Sequence, residues 1–207
     1  MRALLKYDKD GTGGTLLGDA SLAEGVPHGI KIAEEHGVEY LYHANNDAKV
    51  HKTTLNGEYV WSTDMTSAWS KDATNWPFKP TGVVVPPMSS LSSDSSTEKQ
   101  VVYVADGYGL SKVHEFDTVT GNYTGIVFGG ASSPLAFDCD HGISYDDRVE
   151  LMVVSDRSHH RLVWIDSKGS LVDTKNLTTE VPLPCNAQIE LRNYSWRRLF
   201  DRSRSRS

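Results

Sequence analysis

The sequence predicts an all-β chain built from repeated four-strand units, and three observations carry that expectation. Short apolar or alternating runs rich in Val, Tyr, Ile and Trp recur along the chain, bounded by Gly, Pro, Asn and Asp. No segment shows a convincing helical period of apolar residues. Three stretches superpose on one another, with the same opening, the same middle and the same closing turn.

The first repeat opens at Pro27-His28-Gly29-Ile30, runs through Tyr40-Leu41-Tyr42-His43-Ala44-Asn45 and Lys49-Val50-His51-Lys52, and turns at Asn56-Gly57. The second opens at Pro80-Thr81-Gly82-Val83, runs through Val101-Val102-Tyr103-Val104-Ala105-Asp106 and Lys112-Val113-His114-Glu115-Phe116, and turns at Gly121-Asn122. The third opens at Asp140-His141-Gly142-Ile143, runs through Leu151-Met152-Val153-Val154-Ser155-Asp156 and Arg161-Leu162-Val163-Trp164-Ile165, and turns at Lys168-Gly169. A further start lies at Pro182 to Ile189, with Pro184-Cys185-Asn186 at the opening and Asn186 read as its residue facing the channel. Each unit is an inner strand, a second strand ending in Asp or Asn, a third strand, and a Gly turn into a fourth. Four-stranded repeats of roughly 40–50 residues are propeller blades. At that spacing the chain holds about three to four blades of a larger ring. The expected domain is therefore a partial six-bladed β-propeller over residues 1–190.

Repeats one and three are nearly equal in length. Repeat two is longer because of a Pro-Ser-Asp-Thr stretch at 86–99, which reads as a solvated insertion within one blade. After Glu190 the composition changes abruptly, to six arginines against Asp201 alone, ending in an Arg-Ser alternation. Residues 191–207 are expected to form a disordered basic tail.

Composition narrows the function classes. The net charge is −6 although the tail is strongly basic, so the body is acidic and lacks the basic face that phosphate contacts need. Nucleic-acid binding by the domain is excluded on that ground, and no apolar run is long enough for a membrane span. Cys139 and Cys185 allow at most one internal disulfide and fit no cysteine zinc spacing. The first residues lack the apolar middle of a signal peptide, which reads as cytoplasmic for the chain as written and as extracytoplasmic if a leader precedes it.

The order of the elements Pro27-His28-Gly29, Asp106-Gly107-Tyr108, Asp140-His141-Gly142-Ile143 and Asp156-Arg157 resembles the NHL-repeat six-bladed propellers. More narrowly, it resembles the peptidyl-α-hydroxyglycine α-amidating lyases (peptidylamidoglycolate lyases) and their bacterial-type relatives. The likeness runs from about Val26 to Thr174. It implies a zinc-dependent lyase that cleaves a peptidyl-α-hydroxyglycine to a peptide amide and glyoxylate. By the same motifs, His28 and His141 are metal ligands, Tyr108 is the catalytic tyrosine, and Arg157 is the carboxylate or oxyanion partner. A calcium ion is expected on the backbone carbonyl of Ile30.

The residue types suit that chemistry on their own terms. Imidazole is a good zinc ligand, a metal activates a hydroxyl, a phenol can move its proton, and a guanidinium fork fits a carboxylate. A third imidazole is expected on blade five, roughly 80–100 residues after His141 at propeller spacing. No such residue lies in the sequence. The other class of function is a non-catalytic module that binds a peptide, protein or small molecule at the same channel mouth. In that case His28 and His141 line the channel bonded to backbone carbonyls, Tyr108 packs, and Arg157 pairs with Asp156 or another acid. His43 and His51 read as blade-surface residues, His159-His160 as a solvated loop, and Asp106 and Asp156 as caps of the turns that follow them.

Overall fold

A strand that is apolar on both faces must be covered on both, and stacked sheets meet that demand. The computed structural model describes residues 4–64, 78–87, 99–130, 134–177 and 181–189. Three four-stranded antiparallel sheets follow one another along the chain, each in simple up-and-down order. The first is β3 (Pro27–Glu35), β4 (Val38–Asn45), β5 (Lys49–Thr54) and β6 (Tyr59–Asp64). The second is β7 (Gly82–Val84), β8 (Val101–Ala105), β9 (Val113–Asp117) and β10 (Tyr123–Phe128). The third is β11 (Asp140–Asp146), β12 (Leu151–Asp156), β13 (Arg161–Ile165) and β14 (Leu171–Asn176). The inner strand β7 pairs with β8 in its own sheet and contacts β3 and β4 of the first sheet and β11 of the third. This is a partial β-propeller. Among the described residues the single helical piece is a 3-10 turn at Ala20–Ala23, and no helix is long and apolar enough to cross a membrane. The 86–99 insertion lies for most of its length outside the described residues, and so does 191–207.

The register explains the sequence pattern. In β8, Tyr103 and Ala105 enter one core while Val102 and Val104 enter the other. The core between blades two and three also holds Val84, Phe128, Ile143, Met152 and Val163. That between blades one and two holds Tyr42, Val50, Phe78, Val83 and Phe116. A continuous Val run is thus half of each neighbouring core. At the outer end of blade one a polar group is buried as well. Lys52 Nζ donates to Glu35 Oε2 at 2.7 Å and to the Thr118 carbonyl at 3.0 Å, while lying 4.0 Å from the centre of the Tyr40 ring. Thr118 belongs to blade two, so this buried ion pair is tied across a blade boundary.

A short hairpin precedes the first blade, β1 (Leu5–Lys6) with β2 (Thr15–Leu16). Its turn matches the outer hairpins of the three blades. The amides of Gly11, Gly57, Gly121 and Gly169 donate to the carbonyls of Asp8, Thr54, Asp117 and Asp166 at 2.9, 3.0, 2.9 and 3.0 Å. All four glycines have positive φ, which the tight turn requires and glycine supplies without strain. The Asp8 to Gly11 spacing equals that of Thr54 to Gly57 and Asp166 to Gly169.

Candidate functional site

Each inner strand begins with a residue followed by glycine, and the glycine has a packing reason. A Cβ on Gly29 would lie 2.6 Å from the Thr81 carbonyl oxygen, and one on Gly82 would lie 3.2 Å from the Ile143 nitrogen. A Cβ on Gly142 would press on the Cys185 carbonyl. The inner strands therefore approach backbone to backbone, which draws their opening residues together. The ladders of β3 and β11 both shift register at this point, between Pro27 and Gly29 and between Asp140 and Gly142. His28 and His141 each sit at such an irregularity, which re-aims a side chain out of the regular alternation.

The two imidazoles are held alike. His28 Nδ1 lies 2.8 Å from the Thr81 carbonyl oxygen and His141 Nδ1 lies 2.9 Å from the Cys185 carbonyl oxygen. A carbonyl only accepts, so both rings carry their proton on Nδ1 and present Nε2 as a lone pair. The ring centroids are 4.7 Å apart, edge to face. Tyr108 joins them, with its ring 5.4 Å from His28 and 5.2 Å from His141. Its hydroxyl donates to His141 Nε2 at 2.9 Å and accepts from Arg157 Nη1 at 3.3 Å. Burial, followed by the charges of His28 and Arg157, lowers the His141 pKa, while the bond to Cys185 opposes them. The ring is thus favoured in its neutral form, the form that binds a metal.

The four residues singled out by motif, His28, His141, Tyr108 and Arg157, thus stand together at the end of the stack where the inner strands begin. Arg157 does not pair with Asp156; Arg161 takes that carboxylate, with Nε at 2.6 Å from Oδ2. The alternative of carbonyl-bonded histidines describes Nδ1 of each ring and leaves Nε2 to other partners. Ile30 lies in β3 opposite His43, on an exposed stretch of the strand. The donor set fits a zinc ion in part. Two neutral imidazoles anchored at Nδ1 are the usual arrangement of metal-binding histidines, but among the described residues no group of three His, Cys, Asp or Glu side chains is placed to hold a metal.

Other expectations changed. The opening residue of the fourth unit is Cys185 and not Asn186, because its carbonyl takes the place that Thr81 has two repeats earlier. His43 and His51 are not on the surface. Both are buried, bonded through Nε2 to Thr53 Oγ1 at 3.0 Å and through Nδ1 to Ser62 Oγ at 2.8 Å. Burial pushes both of their pKa values down to about 4. With His28, Leu22, Val26 and Ile30 they line a cleft of about 450 Å³ beside the mouth.

The residues ending each second strand do more than cap turns. Asp106 accepts from the amide of Leu110 at 2.7 Å, and also from that of Lys79, just before the inner strand, at 2.6 Å. Asn45 and Asp156 do the same for Val26 and Asp138, at 3.0 and 2.8 Å. This tie fixes the entry of each inner strand and, with it, the opening residue. Sequence reading placed these residues in register and missed the backward bond, which spans about twenty residues.

Comparison with known proteins supports the architecture. No family profile matches the chain, and no curated protein does. Among solved structures, the chain is similar to Sqt1 of Saccharomyces cerevisiae, with a TM-score of 0.55 at 10% identity over 84% of this chain and 45% of that one. It is similar to a catalytically inactive virginiamycin B lyase from Staphylococcus aureus with quinupristin, with a TM-score of 0.53 at 13% identity over 89% of this chain and 50% of that one. A streptogramin B lyase structure aligns with a TM-score of 0.50 at 12% identity over 77% of this chain and 43% of that one. These likenesses establish a β-propeller fold. The chain spans about half the length of the structures that it matches.

Proposed function

We propose that the mouth formed by His28, His141, Tyr108 and Arg157 is a lyase-type site acting on a peptidyl-α-hydroxyglycine. The observation that carries this reading is the shared Tyr108 hydroxyl, 2.9 Å from His141 Nε2 and 3.3 Å from Arg157 Nη1. One atom thus lies between a metal-type ligand and a carboxylate-binding cation. In this reading the two Nε2 atoms would hold zinc, that of His141 after releasing the Tyr108 hydroxyl, and the metal would acidify the substrate hydroxyl. The Arg157 fork holds the carboxylate of the hydroxyglycine. Tyr108 carries the hydroxyl proton to the amide nitrogen as the C–N bond breaks, giving the peptide amide and glyoxylate. No oxidant or reductant is needed. The Ile30 carbonyl is proposed as part of a calcium site that stiffens β3.

The test is calorimetric titration of zinc into the protein and into His28→Ala and His141→Ala, paired with glyoxylate release from N-benzoyl-α-hydroxyglycine. Weak zinc binding, lost in both variants, and zinc-dependent glyoxylate release are the expected results. Wild-type protein that binds no zinc and releases no glyoxylate overturns the proposal. A second reading is favoured by the lack of a third metal-binding side chain among the described residues. The same mouth then binds a carboxylate-bearing peptide or small molecule without turning it over, and Arg157→Gln abolishes binding while zinc has no effect.

A further inference from the structure

In the alternation of opening residues, Thr81 stands where a histidine is lacking, yet it touches three parts of the mouth at once, His28, Gly107 and Asp140. It is 3% exposed and immediately precedes β7, the inner strand that contacts both β3, which carries His28, and β11, which carries His141. Its carbonyl accepts from His28 Nδ1 at 2.8 Å. Its amide donates to the Ala105 carbonyl at 2.8 Å. Its hydroxyl accepts from the Gly107 amide at 3.2 Å and has two acceptors within reach, Ala105 O at 3.2 Å and Asp140 O at 3.3 Å. Gly107 immediately precedes Tyr108, and Asp140 immediately precedes His141.

We propose that Thr81 is the positioning residue of the mouth. Its carbonyl sets the His28 tautomer, and its hydroxyl holds the Tyr108 loop against the entry of the His141 strand. The packing around Gly107 shows how closely these parts are fitted. A Cβ there would lie 2.8 Å from both the Thr81 hydroxyl and the Asp140 carbonyl oxygen. A hydroxyl in this gap can offer its one proton to a neighbouring carbonyl while accepting from Gly107, and valine, of nearly the same shape, can do neither. Removing it leaves the Gly107 amide without its buried acceptor. The Tyr108 hydroxyl then no longer has a fixed position 2.9 Å from His141 Nε2. The carbonyl of residue 81 survives any such substitution, so His28 serves as an internal control.

The experiment compares wild type with Thr81→Val and Thr81→Ser in two measurements on the full chain. The first is long-range proton–nitrogen NMR of the imidazole rings. Both rings are expected as Nδ1–H tautomers in all three proteins. The Nε2 resonance of His141 should carry the shift of an accepted hydrogen bond in wild type and Thr81→Ser, and lose it in Thr81→Val. A general loosening of the fold would move His28 as well, whereas the proposal predicts a change at His141 alone. The second measurement is cobalt(II) titration followed by visible absorption, and it alone rests on the metal reading above. His141 Nε2 has one lone pair, so cobalt has to displace the Tyr108 hydroxyl from it; affinity should therefore rise about tenfold in Thr81→Val, the worth of one hydrogen bond, and return to the wild-type value in Thr81→Ser. If Thr81→Val does not fold, Thr81→Ala removes the same oxygen and is judged by the same signals. An unchanged His141 Nε2 resonance in the variant that lacks the hydroxyl overturns the role of Thr81. Wild-type protein that fails to bind cobalt overturns the metal reading instead, and the NMR result still decides the role of Thr81.

Discussion

Asp140 takes the place that Pro27, Pro80 and Pro184 have in the other repeats, and its side chain is wholly buried. Neither carboxyl oxygen makes a hydrogen bond of good geometry, although its own amide and that of Asp106 lie near. Burial first, then the charges of Asp106 and Asp156, raise its pKa well above the ordinary 3.8. The folded state therefore binds this proton more tightly than the unfolded chain does. Its contribution to stability is fully present below the unfolded value and is lost as pH rises through the raised folded value. Asp140→Asn removes the ionisation while keeping the shape. Its melting temperature should exceed that of wild type by a margin that widens from acidic to neutral pH. Melting curves across that range check the expectation, and a constant difference would refute it. His43 and His51 act in the opposite direction. Their pKa values of about 4 against an ordinary 6.5 mean that folding favours the neutral rings, a contribution lost as pH falls between those values.

At the scale of the element, glycines are placed for two different reasons. Gly37 and Gly125 have open space where a Cβ would go and are needed only for positive φ. Gly29 and Gly142 have no such constraint but face backbone atoms of the next unit, at Thr81 and Gly82 and at Cys185 and Asn186. A methyl group there meets a backbone carbonyl, which has no rotamer with which to give way. Gly29→Ala and Gly142→Ala should each cost about 1–3 kcal/mol, as overpacking does, and should weaken the His28 and His141 bonds to Thr81 and Cys185. Urea unfolding gives the first quantity, and imidazole nitrogen shifts report the second. If both variants unfold like wild type, the close approach of the inner strands is wrong.

At the scale of the molecule, the two interior boundaries between blades are apolar and closed, and the face of blade one that looks away from them is not. Ile30 and Ile32 of β3, and Leu5 and Leu16 of the hairpin that precedes blade one, are each about half exposed, between 47% and 54%. Apolar strand residues exposed side by side promote association. The full chain is expected to self-associate in sedimentation analysis, and Ile32→Lys, on the exposed inner strand, should shift it toward monomer without lowering its melting temperature. A wild-type chain that sediments as a monomer at all concentrations would contradict this.

The fold was legible because propeller blades are repetitive and local. The expected runs Val101–Ala105 and Arg161–Ile165 are β8 and β13, and the expected second strands are β4, β8 and β12. A period of two, a bounding turn and a recurring order are all written within some thirty residues of chain. The motif residues of the mouth were legible for the same reason, since a repeat places equivalent positions at equivalent places. What sequence alone did not determine is everything that passes from one blade to the next. The anchoring of His28 by Thr81, the anchoring of His141 by Cys185 and the meeting of Tyr108 with His141 join residues 53, 44 and 33 positions apart. Two of these bonds use backbone carbonyls, which leave no mark on residue identity. The burial of His43 and His51 is likewise a property of what lies over blade one and not of the strands that carry them. Sequence determined the strands, their order and the candidates for the site. Only the stacking of blades decided which atoms of those candidates face one another, because hydrogen bonds and desolvation depend on distances that a local pattern does not encode.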